Sequence, residues 1–342
     1  MPIWSCALPV PTRPSGRVLH VVERVWAKMR EQPEMAGPTL SRQLREDRSL
    51  GAKERPVAGD MLLGMIRHQA ALGRLHAEPV SAWLALCDGV PDLPDPDDEV
   101  DAYAVALSLP RDLAAEWWTR LGPERAVALA QTLAGRAPVW LRVLRDPVGL
   151  EIPHHREGLS IRLDGRANVT TLAAYREGRV EVQDLGSQRI AEAAFPGAGG
   201  TVLDLCAGAG GKSLALAAMG AKVTAWDSRP GALRELEKRA GRCDLHVEIA
   251  PPSGSYDVIL VDAPCSGTGV LRRHPETRWR LSFHVEQQRA LLERVRGRAA
   301  RVVYATCSLA RRENEEVSGV EGTTLWPEPL GNDGFYIAVV GG

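Results

Sequence analysis

Thr201–Ser213 reads TVLDLCAGAGGKS, and the reading of the whole chain turns on this stretch. An apolar run, Thr201–Leu205, carries Asp204 near its end and opens into a glycine-rich turn. Helical pattern then begins at Gly211 and continues to Ala218. Glycines 208, 210 and 211 permit a tight turn and let backbone N–H groups approach a ligand. They fall as GxGG, so neither the GxGxxG dinucleotide fingerprint nor a GxxxxGK[ST] phosphate loop is present. A glycine turn without phosphate spacing suits S-adenosylmethionine. The next apolar run ends in Asp227 (AWDSRP), about twenty residues on, where an acid can accept both hydroxyls of a ribose. Each feature alone could be an ordinary βα turn; their conjunction favours a cofactor site.

Outward from this stretch, short apolar runs alternate with helical ones. Thr201–Leu205, Lys222–Trp226, Leu245–Ile249, Tyr256–Val261 and Arg301–Ala305 read as buried strands. Gly211–Ala218, Gly231–Ala240 and His284–Val295 read as helices, and Phe335–Val340 as a last antiparallel strand. The alternation predicts a doubly wound α/β sheet of Rossmann type, with ligands at the carboxyl ends of its strands. The front of the chain is different. Arg17–Arg30 and Val57–His76 carry apolar residues at helical spacing, and so do Leu113–Leu121 and Glu124–Leu133. Val90–Asp98 (VPDLPDPDD) reads as a solvated loop. The expected division is an all-α domain over 1–104, a linker and small α/β subdomain over 105–195, and the sheet domain over 196–342.

Composition sets wide bounds. The 342 residues are 44% hydrophobic and 25% charged, with a formal net charge of -1, as in ordinary globular proteins. The neutrality hides an uneven distribution: Glu78–Asp101 holds acids and no Lys or Arg, whereas Arg272–Arg312 is rich in Arg. No uncharged apolar run reaches membrane-spanning length, and Met1–Cys6 lacks the pattern of a signal peptide. The six cysteines form no CxxC pair, and no His cluster has ligand spacing. We therefore expect reduced thiols, a cytoplasmic monomer, and neither a metal nor a membrane partner.

Two further motifs carry chemistry. VDAPCSGTG (Val261–Gly269) follows one strand and YATCSL (Tyr304–Leu309) closes another, so Asp262, Cys265 and Cys307 fall on the same rim as the glycine turn. Cysteine is often a small buried hydrophobe, the favoured reading for Cys6, Cys87 and Cys243. For Cys265 and Cys307 the location favours chemistry. Cytosine C5 is too weak a nucleophile to take a methyl group from a sulfonium unaided. Addition of a thiolate at C6 makes C5 enamine-like, and Asp262 is placed to share a proton with N3 as charge develops. A second thiol can assist release of the first. Lys212 could stabilise charge, although a lysine at a helix start is commonly only a surface residue.

DLCAGAGGK, DAPCSGTGVLRRHPETRW and ATCSL, in this order, resemble the motifs of the Nop/Sun family of RNA cytosine-5 methyltransferases. QDLGSQ (Gln183–Gln188) and APVWLRV (Ala137–Val143) match further landmarks, and the resemblance covers about residues 105–342. It implies a class I methyltransferase domain with Cys307 as nucleophile, Cys265 as release thiol, and Asp262 and Lys212 beside them. It also implies cofactor contacts from Cys206, Ala207, Gly208, Ala209, Gly210, Gly211, Lys212, Asp227 and Asp262. Lys53–Leu75 is similar to the NusB-like RNA-binding domain of the family's bacterial small-subunit rRNA member. RNA, of the ribosomal class, is the implied partner.

The chain departs from the family in having Gly208-Ala209 where most members have Ala-Pro, and Glu248 as the only acid near the third strand's end. Its segment between Val317 and Asn332 is also short. For the RNA surface we assign Arg272, Arg273 and Arg278 to phosphates and His274 and Trp279 to base stacking. Arg280, Arg294, Arg296, Arg298 and Arg301 extend the same basic stretch, where a solvated helix face is the simpler reading of Arg294–Arg298. The competing functions are the same chemistry on tRNA, and an idle RNA-binding assembly factor that retains the fold.

Overall fold

A computed structural model describes residues 14–32, 36–75, 77–87, 98–165 and 167–341. The chain forms two units, one of residues 1–136 with 270–281 and the other of 137–269 with 282–342.

The first unit is all-α. Helix α1 (Gly16–Glu31) starts where Ser15 accepts a hydrogen bond from the Val18 amide. It buries Val18, Val21, Val22, Val25, Trp26 and Met29, a single stripe at helical spacing. The helix expected over Val57–His76 is broken in two, as α2 (Glu54–Arg67) and α3 (Gln69–Arg74), and His76 lies outside the described residues. Ser108 causes the break. Its hydroxyl donates to the Arg67 carbonyl at 2.9 Å and accepts from the Ala70 amide at 3.1 Å, interrupting the backbone ladder. His68, at the break, stacks on Trp83. Burial and the Arg278 and Arg67 charges push its imidazole down to about 3, so it is a neutral core residue.

The expected loop Val90–Asp98 lies outside the described residues except for Asp98, which caps Glu99–Leu107 by accepting from the Asp101 amide. The helical unit does not end at residue 104. Glu99–Leu107, Arg111–Leu121 and Pro123–Ala134 pack on one another and on α3, which carries the boundary to Arg136.

The second unit holds two sheets. Strands β1 (Val139–Val143), β2 (His154–Glu157), β3 (Ser160–Leu163) and β4 (Val180–Val182) form an antiparallel sheet in the order β2-β3-β1-β4. Strands β5 (Thr201–Asp204), β6 (Lys222–Ala225), β7 (Glu248–Ile249), β8 (Tyr256–Asp262), β9 (Ala299–Thr306), β10 (Thr323–Leu325) and β11 (Phe335–Gly341) form the larger sheet. Its order is β10-β11-β9-β8-β5-β6-β7. Strands β5 to β9 pair in parallel, and β11 runs antiparallel to β9, as expected. Leu203, Ile259, Val261 and Tyr304 are fully buried in its core. The third expected strand shrinks from Leu245–Ile249 to two exposed edge residues; after Ala250, Pro251 and Pro252 have no N–H to extend the pairing.

QDLGSQ proves architectural. Asp184 caps Leu185–Ala193 by accepting from the Gly186 amide, and the buried Gln188 donates to the Gln183 carbonyl and accepts from Ser160.

Candidate active site

Strand order reverses between β5 and β8, so the carboxyl ends of β5, β6, β8 and β9 share the rim at which sheets of this kind bind ligands. The β5 turn is built by two glycines in the left-handed region, Gly208 (φ 54) and Gly210 (φ 85). The Gly210 amide donates to the Ala207 carbonyl at 2.8 Å. A Cβ at Gly210 would lie 2.5 Å from Leu236 Cγ, so the turn and the helix Pro230–Cys243 fit only with glycine there.

Asp227 ends β6 with a buried carboxylate that accepts from the Gly208 amide at 2.8 Å, tying the two strand ends together. It also accepts from Arg229 through its backbone N–H and the Nε and Nη2 of its guanidinium, at 2.9–3.0 Å. Burial raises this carboxyl, but the Arg229 and Gly208 hydrogen bonds outweigh it and hold Asp227 below the usual carboxylate range. Arg229 was not legible as a site residue. Its signal is only that a cation stands two positions after the acid.

Two buried oxygens near the turn have no protein donor, Asp204 Oδ1 and Gln183 Oε1. Asp204 also accepts from Ser213 at 2.6 Å, and burial pushes its carboxyl up to about 6. A ligand carrying positive charge and N–H donors would satisfy both, and Asp227 would meet a ribose. The donor set therefore fits S-adenosylmethionine. Cys206, in the turn, is not a reactive thiol: burial and the carboxylates of Asp204, Asp262 and Asp227 push it up to about 12.

At the end of β8, Asp262 Oδ2 accepts from Lys212 Nζ at 2.7 Å. Burial opposes the Lys212 charge, but Asp262, then Asp204 and Cys307, favour it, and the ammonium is held above its ordinary value. Lys212 is thus a largely buried ion-pair partner of Asp262 and not a freely solvated lysine. Cys265 and Cys307 meet with their sulfurs 3.3 Å apart. The Cys265 thiol is pushed well up, first by its hydrogen bond to Cys307, then by burial and by the Cys307 and Glu313 charges. Cys87 and Cys243 are buried, as read from the sequence, and Cys6 lies outside the described residues.

Other expectations need correction. Arg272 and Arg278 are buried in the helical unit. Arg278 donates to the carbonyls of Leu107 and Leu271, at 2.8 and 3.0 Å. Arg67 in turn donates to the Arg272 carbonyl at 3.0 Å. Trp279 packs edge-on against Trp26 in the helical core. Arg272 and Arg278 therefore present no cation to solvent, and the partly buried Trp279 ring packs on the helical core. Arg273 is half-buried and His274 exposed. Arg296 pairs with Glu293, while Arg298 and Arg301 donate to the carbonyls of Gly254 and Phe195. Arg294 lies over the Trp226 ring. Glu248 accepts from Thr224 on the neighbouring strand. Among the described residues no cluster of acids, histidines or cysteines could hold a metal ion, and no helix is long and apolar enough to cross a membrane.

This sheet order, with a glycine turn after its first strand and an acid after its second, is that of a Rossmann-type class I methyltransferase domain, which follows the all-α unit in sequence. The comparisons agree. The family described as 16S rRNA methyltransferase RsmB/F matches residues 193–321. Ribosomal RNA small subunit methyltransferase B of Proteus mirabilis is 32% identical over 251 residues, covering 60% of this chain. The chain spans 59% of that relative's length. The crystal structure of PH0851 shares the fold with a TM-score of 0.72 at 18% identity, over 99% of this chain and 98% of the other. A methyltransferase homologue from Pyrococcus horikoshii gives 0.56 at 22% identity, over 69% and 96%. Residues 193–321 thus match the RsmB/F family of methyltransferases, and the chain is similar to its small-subunit rRNA members over about 60% of its length.

Proposed function

We propose that the protein transfers a methyl group from S-adenosylmethionine to C5 of a cytosine in RNA, with small-subunit rRNA as the substrate class. The observation that carries this is the pair of thiols, 3.3 Å apart, on the same rim as the Lys212–Asp262 ion pair. When bound, the cofactor supplies an electrophilic methyl group, held by the 206–211 turn and Asp227. The Cys307 thiolate forms a bond to C6, and the C5–C6 electron pair becomes available at C5. Asp262 shares a proton at N3, and Lys212 holds that carboxylate in place. After C5 has gained the methyl, water takes the C5 proton, the freed electron pair restores the C5–C6 double bond, the C6–S bond breaks and Cys307 leaves as thiolate. Cys265 assists this release. The rRNA assignment rests on the likeness to the small-subunit rRNA methyltransferase of Proteus mirabilis. Arg273 and His274 are the remaining RNA contacts of those assigned from sequence.

Labelled S-adenosylmethionine incubated with fractionated total RNA tests the reading. The expected result is label in one RNA class, with a covalent protein–RNA adduct trapped by Cys265→Ala and absent from Cys307→Ala. Label in tRNA alone would replace the substrate assignment. An adduct persisting in Cys307→Ala would overturn the nucleophile. Loss of cofactor binding in the wild type would favour the assembly-factor reading.

A further inference from the structure

Behind the two thiols stands a buried carboxylate that the reaction above does not use. Glu313 is 0% exposed and lies just after the Cys307 loop. Its oxygens accept from the Ser266 amide at 3.0 and 3.1 Å and from the Ser266 hydroxyl at 2.5 Å. They also accept from the His284 amide at 2.9 Å and from Gln288 Nε2 at 3.2 Å. All of these donors are neutral. A buried carboxylate with five neutral contacts is costly to keep unless its geometry is used.

The network reaches both neighbours of each cysteine. Gln288 Nε2 donates to the Pro264 carbonyl at 2.8 Å, and Ser266 is held by Glu313 itself, so Cys265 is clamped on either side. The Ser266 and Ser308 hydroxyls lie 3.1 Å apart, and Thr268 Oγ1 reaches Ser308 at 3.2 Å. Thr306 donates to Asn314 Oδ1 at 2.6 Å, while Asn314 Nδ2 donates to the Ser308 carbonyl at 3.0 Å. Cys307 is thereby clamped as well. The Tyr304 hydroxyl closes the network on the Glu313 carbonyl at 2.6 Å.

We propose that Glu313 is the positioning residue of the thiol pair: through Ser266 and Gln288 it locks the Cys265 loop against the Cys307 loop. This deepens the methyltransferase reading and rests on it for its catalytic meaning. The charged and titratable groups around the pair are Cys307, Glu313 and Tyr304 on the Cys265 side, with Lys212 near Cys307. Of these, Glu313 acts through the loop and touches no reacting atom.

The test uses the full chain and two variants, Glu313→Gln and Ser266→Ala. Gln keeps the size but brings a donor against Ser266, His284 and Gln288. Ala removes only the hydroxyl between Glu313 and Ser308. Iodoacetamide alkylation of Cys265 and Cys307, resolved by mass spectrometry across pH 6–10 (roughly two units either side of a free thiol), reads the thiols without RNA. In Glu313→Gln, Cys265 should alkylate faster than in the wild type at pH 8, because the loop that seats it is no longer locked. Both variants should accumulate the covalent RNA adduct while cofactor affinity stays within about twofold, a small free-energy change. Wild-type Cys265 alkylation in a folded Glu313→Gln, or adduct levels unchanged in Ser266→Ala, would overturn the proposal. Should Glu313→Gln fail to fold, the adduct level in Ser266→Ala decides alone. If no variant, Cys265→Ala included, gives adduct or methyl transfer, the methyltransferase reading fails instead. The alkylation profile would still report on Glu313.

Discussion

Lys212 Nζ stands 2.7 Å from Asp262 Oδ2, joining the glycine-turn helix to the end of β8 across fifty positions of sequence. The pair is largely removed from water, so each member depends on the other for compensation of its charge. Lys212→Met and Asp262→Asn should each lower single-turnover methyl transfer by on the order of 10² to 10³. The double variant should be hardly worse than either alone, because the two act as one unit. Additive losses in that cycle would show that they act separately.

Arg229 and the ribose would compete for one carboxylate. Its guanidinium is mostly exposed, and exposed ion pairs are worth about 0–1 kcal/mol. Arg229→Ala should therefore tighten cofactor binding by at most about fivefold, whereas Asp227→Asn should weaken it by about tenfold or more. Isothermal titration with S-adenosylhomocysteine separates the two. Equal weakening by both variants would mean that Arg229 holds the ligand and does not compete with it.

Arg278 gives the clearest separation of structure from RNA binding. Its guanidinium is buried and donates to two carbonyls, and burial and the neighbouring Arg67 push it down to about 9. Arg278→Met should leave those carbonyls unsatisfied and cost about 2–4 kcal/mol of stability, read by thermal denaturation. RNA affinity measured well below the melting point should be unchanged. Weakened RNA binding with an unaltered melt would restore Arg278 to the RNA surface.

The parallel sheet was legible because its strands are short apolar runs, those of β5, β6 and β8 closed by Asp204, Asp227 and Asp262, a pattern local enough to read along the chain. Asp227, Asp262, Cys265 and Cys307 were legible as strand-end residues for the same reason. What the pattern could not carry was pairing at a distance. Ser108, forty-one residues from Arg67, breaks a helix whose own sequence gives no stop signal. Arg272, Arg278 and Trp279 follow a catalytic motif in sequence, yet they pack into the helical unit. Charge alone gave no sign of this. Glu313 sits in an ordinary acidic run, RRENEE, and only its burial sets it apart.

Gly210 tests how tightly the cofactor turn is specified. It combines φ 85 with a site where Cβ would fall 2.5 Å from Leu236 Cγ. Gly210→Ala should cost about 1–3 kcal/mol, from the left-handed backbone and the overpacked helix together. Leu236→Ala in the same chain should recover the steric part, at the expense of a cavity, and leave the backbone part. Gly208→Ala is the control, since its Cβ would meet only the tip of Arg229 at 3.6 Å. Chemical denaturation orders the three variants, and a Gly208→Ala as damaging as Gly210→Ala would locate the constraint in the backbone alone.

Asp204 makes stability depend on pH in an unusual direction for a carboxylate. Burial raises its folded value to about 6 from an ordinary 3.8, so between those limits the folded chain binds the extra proton. The stabilisation is fully present below about pH 4 and is lost as pH rises through about 6, amounting to about 3 kcal/mol in all. Asp204→Asn cannot ionise, so its stability relative to the wild type should rise across that window and level off above it. Denaturant titrations of both proteins from pH 4 to pH 7.5 (roughly the span over which this carboxyl changes state) would show it. A difference that is flat in pH would mean that Asp204 is ionised throughout, with its charge met by groups other than Ser213. A cationic ligand bound beside the free Oδ1 should flatten the same curve, because it favours the carboxylate, and that change would report occupancy of the cofactor site without any catalytic assay.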